Sequence, residues 1–143
     1  MEKVVFRITF FCIFLVAMSY RKVLLIDDDE DDQHIFMTAA AEVSSNVSCV
    51  ALYDARQALK KLENRELEPD VIFLDLNMPM MNGEQFLTEI KKNQALKKIP
   101  VIIFSTTSNK NTISSVKELG ASAFITKPSL YDELVTVLKP LLT

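Results

Sequence analysis

The sequence predicts an α/β fold, a doubly wound three-layer (βα)5 sandwich around a parallel sheet. Three observations carry this reading. Short and almost continuously apolar runs recur at residues 23–26, 47–51, 71–74, 101–104 and 123–125, as strands buried on both faces of a parallel sheet should. Segments of helical period separate them. The length of 143 residues, 49% of them apolar, suits one buried core and no second domain of ordinary size.

Each helix is marked by one apolar face. The first presents Ile35, Phe36, Ala39, Ala40 and Val43, and the second Ala55, Ala58, Leu59 and Leu62. Phe86, Leu87 and Ile90 mark the third, and Ile113, Val116 and Leu119 the fourth. Leu130, Leu134, Val137, Leu138 and Leu141 mark the last, with Ser129 as N-cap and Asp132 three residues on. The two glycines, Gly83 and Gly120, fall at element boundaries, where a positive φ or a helix stop is useful.

Composition excludes some functions. The net charge is −3 and the Lys and Arg residues are scattered, so no basic face for nucleic acid is expected. Cys12 and Cys49 lack metal-ligand spacing; Cys49 reads as a small buried hydrophobe, and no disulfide is expected.

Residues 1–17 stand apart as an apolar N-terminal extension, with residues 18–143 forming the domain proper. Residues 8–18 read ITFFCIFLVAM behind Lys3 and Arg7. That run is shorter than the ~20 apolar residues of a membrane span, and no A-x-A cleavage site follows it. Three readings stay open: a start assigned upstream of a true start at Met18, a membrane tether, and a cleaved leader. The segment is expected to be dispensable, forming an apolar helix that projects from a sheet needing no sixth strand.

In an open α/β sheet, ligands bind beyond the carboxyl ends of the strands. The first strand runs into Asp27, Asp28, Asp29, Glu30, Asp31 and Asp32. Asp75 follows the third, Ser105 and Thr106 the fourth, and Lys127 with Pro128 the fifth. Singly, each has an ordinary reading: a solvated acidic loop, an N-cap, a turn hydroxyl, a surface lysine. Their convergence at one edge of the sheet is harder to explain as coincidence. Clustered carboxylates repel one another, and a hard divalent cation relieves that cost. Oxygen donors alone suit Mg²⁺, and the lack of His or Cys at this edge argues against zinc. Such a metal site holds phosphoryl groups, and Asp75 can serve there as both ligand and nucleophile.

Four segments carry a family resemblance: VLLIDDDEDD (23–32), DVIFLDLNMPMMNG (70–83), PVIIFSTT (100–107) and GASAFITKP (120–128). Over residues 21–142 the chain resembles bacterial two-component response regulators, specifically a stand-alone, chemotaxis-regulator-like receiver domain. The resemblance implies a flavodoxin-like five-stranded parallel sheet of order 2-1-3-4-5. It implies Mg²⁺ held by Asp28 directly, by Asp27 through water, by Asp75, and by the backbone carbonyl of Asn77. Asp75 would be the phosphoacceptor, assisted by Ser105 and Lys127, with Phe124 at the aromatic switch position and a cis Lys127–Pro128 peptide. The phosphoryl donor would be a histidine kinase or phosphotransfer protein, and the output a protein contact through the last helix, fifth strand and fourth helix. No nucleic acid is implied, and catalysis is limited to the domain's own phosphorylation and slow dephosphorylation. The location implied is cytoplasmic, with membrane contact only through residues 1–17.

Two departures from the family pattern stand out. Thr106 replaces a commonly smaller residue, which narrows access to the phosphoryl group, and the switch position holds Phe rather than Tyr. His34, the one histidine, belongs to the first helix and is not expected at the site. Rival readings are weaker. A haloacid-dehalogenase-type phosphatase needs a second aspartate where Asn77 stands, and an electron carrier of flavodoxin type would not put six acids beside a flavin phosphate. A degenerate receiver that signals without phosphorylation is disfavoured by the complete set Asp27, Asp28, Asp75, Ser105 and Lys127.

Overall fold

The computed structural model describes residues 3–5, 8–11, 19–107 and 109–142. Among the described residues seven strands occur in chain order: β1 (Lys3–Val5), β2 (Ile8–Phe10), β3 (Lys22–Ile26), β4 (Ser48–Leu52), β5 (Val71–Leu74), β6 (Val101–Ser105) and β7 (Ala123–Thr126). Five helices alternate with the last five strands: α1 (Glu30–Val43), α2 (Ala55–Glu63), α3 (Gly83–Lys92), α4 (Lys110–Glu118) and α5 (Tyr131–Leu138). The sheet order is β1-β2-β7-β6-β5-β3-β4. Counted from β3, the parallel strands follow the expected order 2-1-3-4-5.

Alternation along each strand divides the core in two. Leu25, Phe73, Ile102 and Ile125 face a cluster that includes Phe36, Ala39 and Ala40 of α1 and Leu134 and Leu138 of α5. Leu24, Ile72, Ile103 and Phe124 face the other cluster, with Leu62, Phe86, Ile90 and Val116 from α2, α3 and α4. Phe36 meets Phe73 and Phe104 edge-to-face at 4.9 and 5.5 Å between ring centroids, locking α1 against the centre of the sheet.

The N-terminal segment departs from expectation. Residues 8–10 form no projecting helix. They pair antiparallel with β7, in the register Ile8↔Ile125, Thr9↔Phe124 and Phe10↔Ala123. β1 then pairs antiparallel with β2, so the five-stranded parallel sheet gains a two-stranded antiparallel margin. The physical reason is the free edge of β7, whose unpaired N–H and C=O groups offer a template for a strand. Period-two alternation also carries Ile8 and Phe10, each 2% exposed, into the core cluster that includes residues of α1 and α5. Phe11 donates its N–H to Ser122 O at 2.9 Å, extending the contact past the strand. Cys12 and Met18 lie outside the described residues. Among the described residues no helix is long and apolar enough to cross a membrane.

Smaller corrections follow from packing. Ile35 is 44% exposed, and Gln33 is buried in its stead, because the inward face of α1 runs 33, 36, 40. Leu130 is 61% exposed. It occupies the N-cap of α5 without a side-chain cap, so Ser129 and Asp132 do not form the expected capping pattern. The acids Asp132 and Glu133 instead complement the helix dipole in the first turn. The Lys127–Pro128 peptide is trans, not cis, the more favourable X–Pro isomer by ~0.5–1 kcal/mol. Gly120 follows α4 at φ 103°, where only glycine is unstrained.

The hairpin's burial yields a prediction. Phe10→Ala should cost about 3–5 kcal/mol and Ile8→Ala about 2–5 kcal/mol, and removal of residues 1–18 should lower the urea midpoint by at least as much as either. Unchanged midpoints in all three would place these side chains outside the core.

Candidate functional site

Ladder hydrogen bonds carried one residue past the strands fix the lateral spacing of the site. Asp27 N–H donates to Leu52 O at 3.1 Å, Asp75 N–H to Ile26 O at 2.9 Å, and Lys127 N–H to Ser105 O at 2.8 Å. The residues at the ends of β3, β5, β6 and β7 are thus held side by side at the carboxyl edge.

Asp27 is fully buried, Asp75 is 6% exposed, and Ser105 is buried. Asp27 Oδ1 accepts from Asp29 N–H at 3.0 Å and Oδ2 from Lys127 Nζ at 2.8 Å. Its carbonyl accepts from the Gln33 amide at 2.8 Å, which explains a buried glutamine on the inner face of α1. Asp75 Oδ2 lies 3.8 Å from Lys127 Nζ. The backbone N–H groups of Leu76 and Asn77 favour its ionised form. Ser105 Oγ accepts from Thr107 N–H at 3.3 Å, and the Asn77 amide reaches Thr107 Oγ1 at 3.4 Å, linking the loops after β5 and β6. Lys127 Nζ also stands 5.6 Å from the Phe104 ring centroid, a cation–π contact.

Gly83 is required by close approach. A Cβ there would collide with the Asp75 carbonyl and lie 2.8 Å from Leu76 Cα. Asn82 and Gln85 form a reciprocal capping box that starts α3 at this point, so the loop behind Asp75 is fixed at both ends.

Burial pushes the Asp75 carboxyl up to about 6, with Lys127 pulling it down and Asp27 pushing it further up. Burial likewise raises Asp27, against the pull of Lys127 and the Asp29 N–H. Burial alone would lower Lys127, but hydrogen bonds to Asp27 and Asp32 and the charge of Asp75 together raise it. Lys127 is therefore a cation at neutral pH, and one ammonium cannot balance the carboxylates around it. Asp27, Asp28 and Asp75 each present an oxygen, all within 4.8 Å of one another. This is an oxygen-only set with Asp28 exposed, leaving room for water ligands, and it fits a hard divalent cation.

The structure thus assembles Asp27, Asp28, Asp75, Ser105 and Lys127. Asn77 flanks them. Phe124 does not join the cluster: it is 1% exposed in the core beside Val116, and its backbone is paired with Thr9 of β2. His34 is exposed on α1. Sequence reasoning passed over Asp32, which accepts from Lys127 Nζ at 2.8 Å, and over Gln33 and Thr107. Asp32 lay inside an acidic run that reads as solvated; its one distinguishing signal is a place in the first turn of α1, above Asp27.

The raised carboxyls set a pH dependence. The folded state holds the Asp75 proton more tightly than the unfolded chain does. This contribution is therefore complete below about pH 4 and lost as pH rises through about 6, amounting to roughly 2–3 kcal/mol. Metal-free protein should thus gain stability at pH 7.5 on Asp75→Asn, and Mg²⁺ should stabilise the unmodified chain at pH 7.5 but not at pH 4.5. Loss of stability in metal-free Asp75→Asn at pH 7.5 would contradict the electrostatics described.

Comparison with known proteins agrees with the geometry. Residues 23–139 match the response regulator receiver domain. Response regulator Rcp1 from Synechocystis sp. is 31% identical over 110 residues, covering 73% of this chain and 75% of that one. The phosphorylated cyanobacterial phytochrome response regulator RcpA superposes with a TM-score of 0.77 at 30% identity, covering 85% of this chain and 90% of that chain. The Mn²⁺-bound form of Rcp1 gives 0.74 at 27% identity, covering 83% and 89%. The chain also matches protein-glutamate methylesterases but spans only about a fifth of their length, 21% of the one from Syntrophomonas wolfei and 20% of the one from Treponema denticola. Fold, acidic edge and likeness agree: the chain belongs to the response regulator receiver domain family.

Proposed function

We propose that this receiver domain is a phosphorylation-dependent signalling switch in which Asp75 takes a phosphoryl group from a histidine kinase or phosphotransfer protein. One observation carries the reading. Asp75 is a buried carboxylate set 3.8 Å from a lysine ammonium and grouped with two further carboxylates, one of them open to solvent. An Asp75 oxygen attacks phosphorus, an O–P bond forms as the donor's N–P bond breaks, and the imidazole leaves with the bonding electron pair.

Each neighbour has a part in this step. Asp27, Asp28, Asp75 and the Asn77 carbonyl would hold Mg²⁺, which when bound would neutralise charge on the phosphoryl oxygens. That the related Rcp1 takes up Mn²⁺ supports a divalent cation here. Lys127, 3.8 Å from Asp75, neutralises part of the phosphoryl charge. Ser105, held now by Thr107 N–H, turns its hydroxyl toward the new oxygens. Ile35, exposed, lines the small cleft with Lys127 and Pro128 and offers the donor an apolar footing. Phe124 carries the change at Ser105 toward α4, and β7 carries the change at Lys127 along the sheet to a protein partner.

Incubation with acetyl phosphate and Mg²⁺ should add a single phosphoryl group by intact mass. The addition should vanish in Asp75→Asn and without Mg²⁺, and persist in His34→Gln. Undiminished addition in Asp75→Asn would overturn the assignment. Lys127→Ala should still bind Mg²⁺ but lose the phosphorylation-dependent shift of amide resonances, and a normal shift would refute its role.

A further inference from the structure

Lys127 is committed elsewhere. Its ammonium has three protons and two acceptors at 2.8 Å, Asp27 Oδ2 and Asp32 Oδ2, while Asp75 Oδ2 lies at 3.8 Å. The two short contacts differ in kind. Asp27 belongs to the carboxylate group that fits a divalent cation; Asp32 does not. Asp32 comes instead from the first turn of α1, where its own N–H is held by the N-cap Asp29 at 3.1 Å. Its side chain is 37% exposed, whereas that of Lys127 is 11% exposed. The helix dipole favours acids in the first turn, and Glu30 and Asp31 already serve that purpose. Asp32 alone of the three reaches the lysine.

We propose that Asp32 is a positioning residue that holds Lys127 back from Asp75, so that its release sets how readily the domain enters the phosphorylated state. This rests on the phosphoacceptor role argued above for Asp75. A cation held by Asp27, Asp28 and Asp75 would draw on the charge of Asp27 and weaken that hold on the lysine. Asp32 remains as the competing acceptor. Phosphorylation replaces the single carboxylate charge of Asp75 with about two negative charges on three acceptor oxygens, and the ammonium then swings from Asp32 to meet them. The Asp32–Lys127 pair is thus a latch that stays closed until phosphoryl charge outweighs one half-exposed carboxylate. Breaking the latch favours the phosphorylated form without touching the nucleophile or the metal ligands.

The test uses the full chain with Mg²⁺ and beryllofluoride, a non-transferable phosphoryl mimic, followed by calorimetry. Asp32→Asn keeps the shape and weakens the hold, so it should tighten beryllofluoride binding about five-fold, the scale of a partly exposed ion pair. Asp31→Asn removes the same charge from the same turn without a lysine contact and reports the general electrostatic effect. Asp32→Glu, which keeps the charge, should stay near the parent. In a Lys127→Met background, Asp32→Asn should change nothing, since the cycle isolates the coupling. The ammonium resonance of Lys127 should also shift in Asp32→Asn before any ligand is added. Equal effects of Asp31→Asn and Asp32→Asn, or an Asp32→Asn effect that survives Lys127→Met, would overturn the latch. Absence of beryllofluoride binding in the parent chain would instead overturn the phosphoacceptor reading itself.

Discussion

Lys127 and Asp27 lie 2.8 Å apart with both side chains largely withdrawn from water, and the carboxyl edge of the sheet is organised around that pair. Burying either charge alone would be prohibitive. Together, with Asp29 N–H on one carboxylate oxygen, Gln33 on the Asp27 carbonyl and Asp32 on the lysine, most of the polar atoms are satisfied. Burial raises Asp75 to about 6, and Lys127, already engaged by Asp27 and Asp32, only partly offsets it. An excess of carboxylate over ammonium is what makes the site fit a divalent cation.

The same lysine connects chemistry to architecture. It follows β7, the strand that the hairpin of β1 and β2 adjoins. The N-terminal segment therefore closes the sheet margin beside β7, and Ile8 and Phe10 join the core cluster that also holds residues of the helix following Lys127. A partner approaching this margin meets the hairpin before it meets β7. The position of Phe124, buried on one face and paired through its backbone with Thr9, shows how tightly this strand is now enclosed.

The five parallel strands and five helices were legible because every one of them carries a period that admits few readings. Central strands such as 71–74 are apolar throughout, and helices such as Gly83–Lys92 show an unbroken inward face. The site residues were legible through topology, since strand ends must converge. What escaped was set by contacts across long sequence separation. Asp32 looked like its acidic neighbours until Lys127, 95 residues away, was placed beside it. Gln33 displaced Ile35 from the inner face of α1 because a buried carbonyl needed a donor. Residues 8–10 looked like part of an apolar helix because composition alone cannot reveal a vacant strand edge elsewhere in the chain. The missing cap on α5 and the trans Lys127–Pro128 peptide belong to the same class, being decided by how the following loop sits.

The central claim is that the residue at the end of β5, in this charged setting, is the one that carries the phosphoryl group. Borohydride reduces an acyl phosphate to the alcohol, converting the modified aspartate into homoserine, which peptide sequencing by mass spectrometry locates. After phosphorylation with acetyl phosphate and Mg²⁺, homoserine is expected at position 75 and nowhere else. Homoserine at position 27 or 28 instead, or a borohydride-resistant phosphoryl group on His34, would contradict that claim.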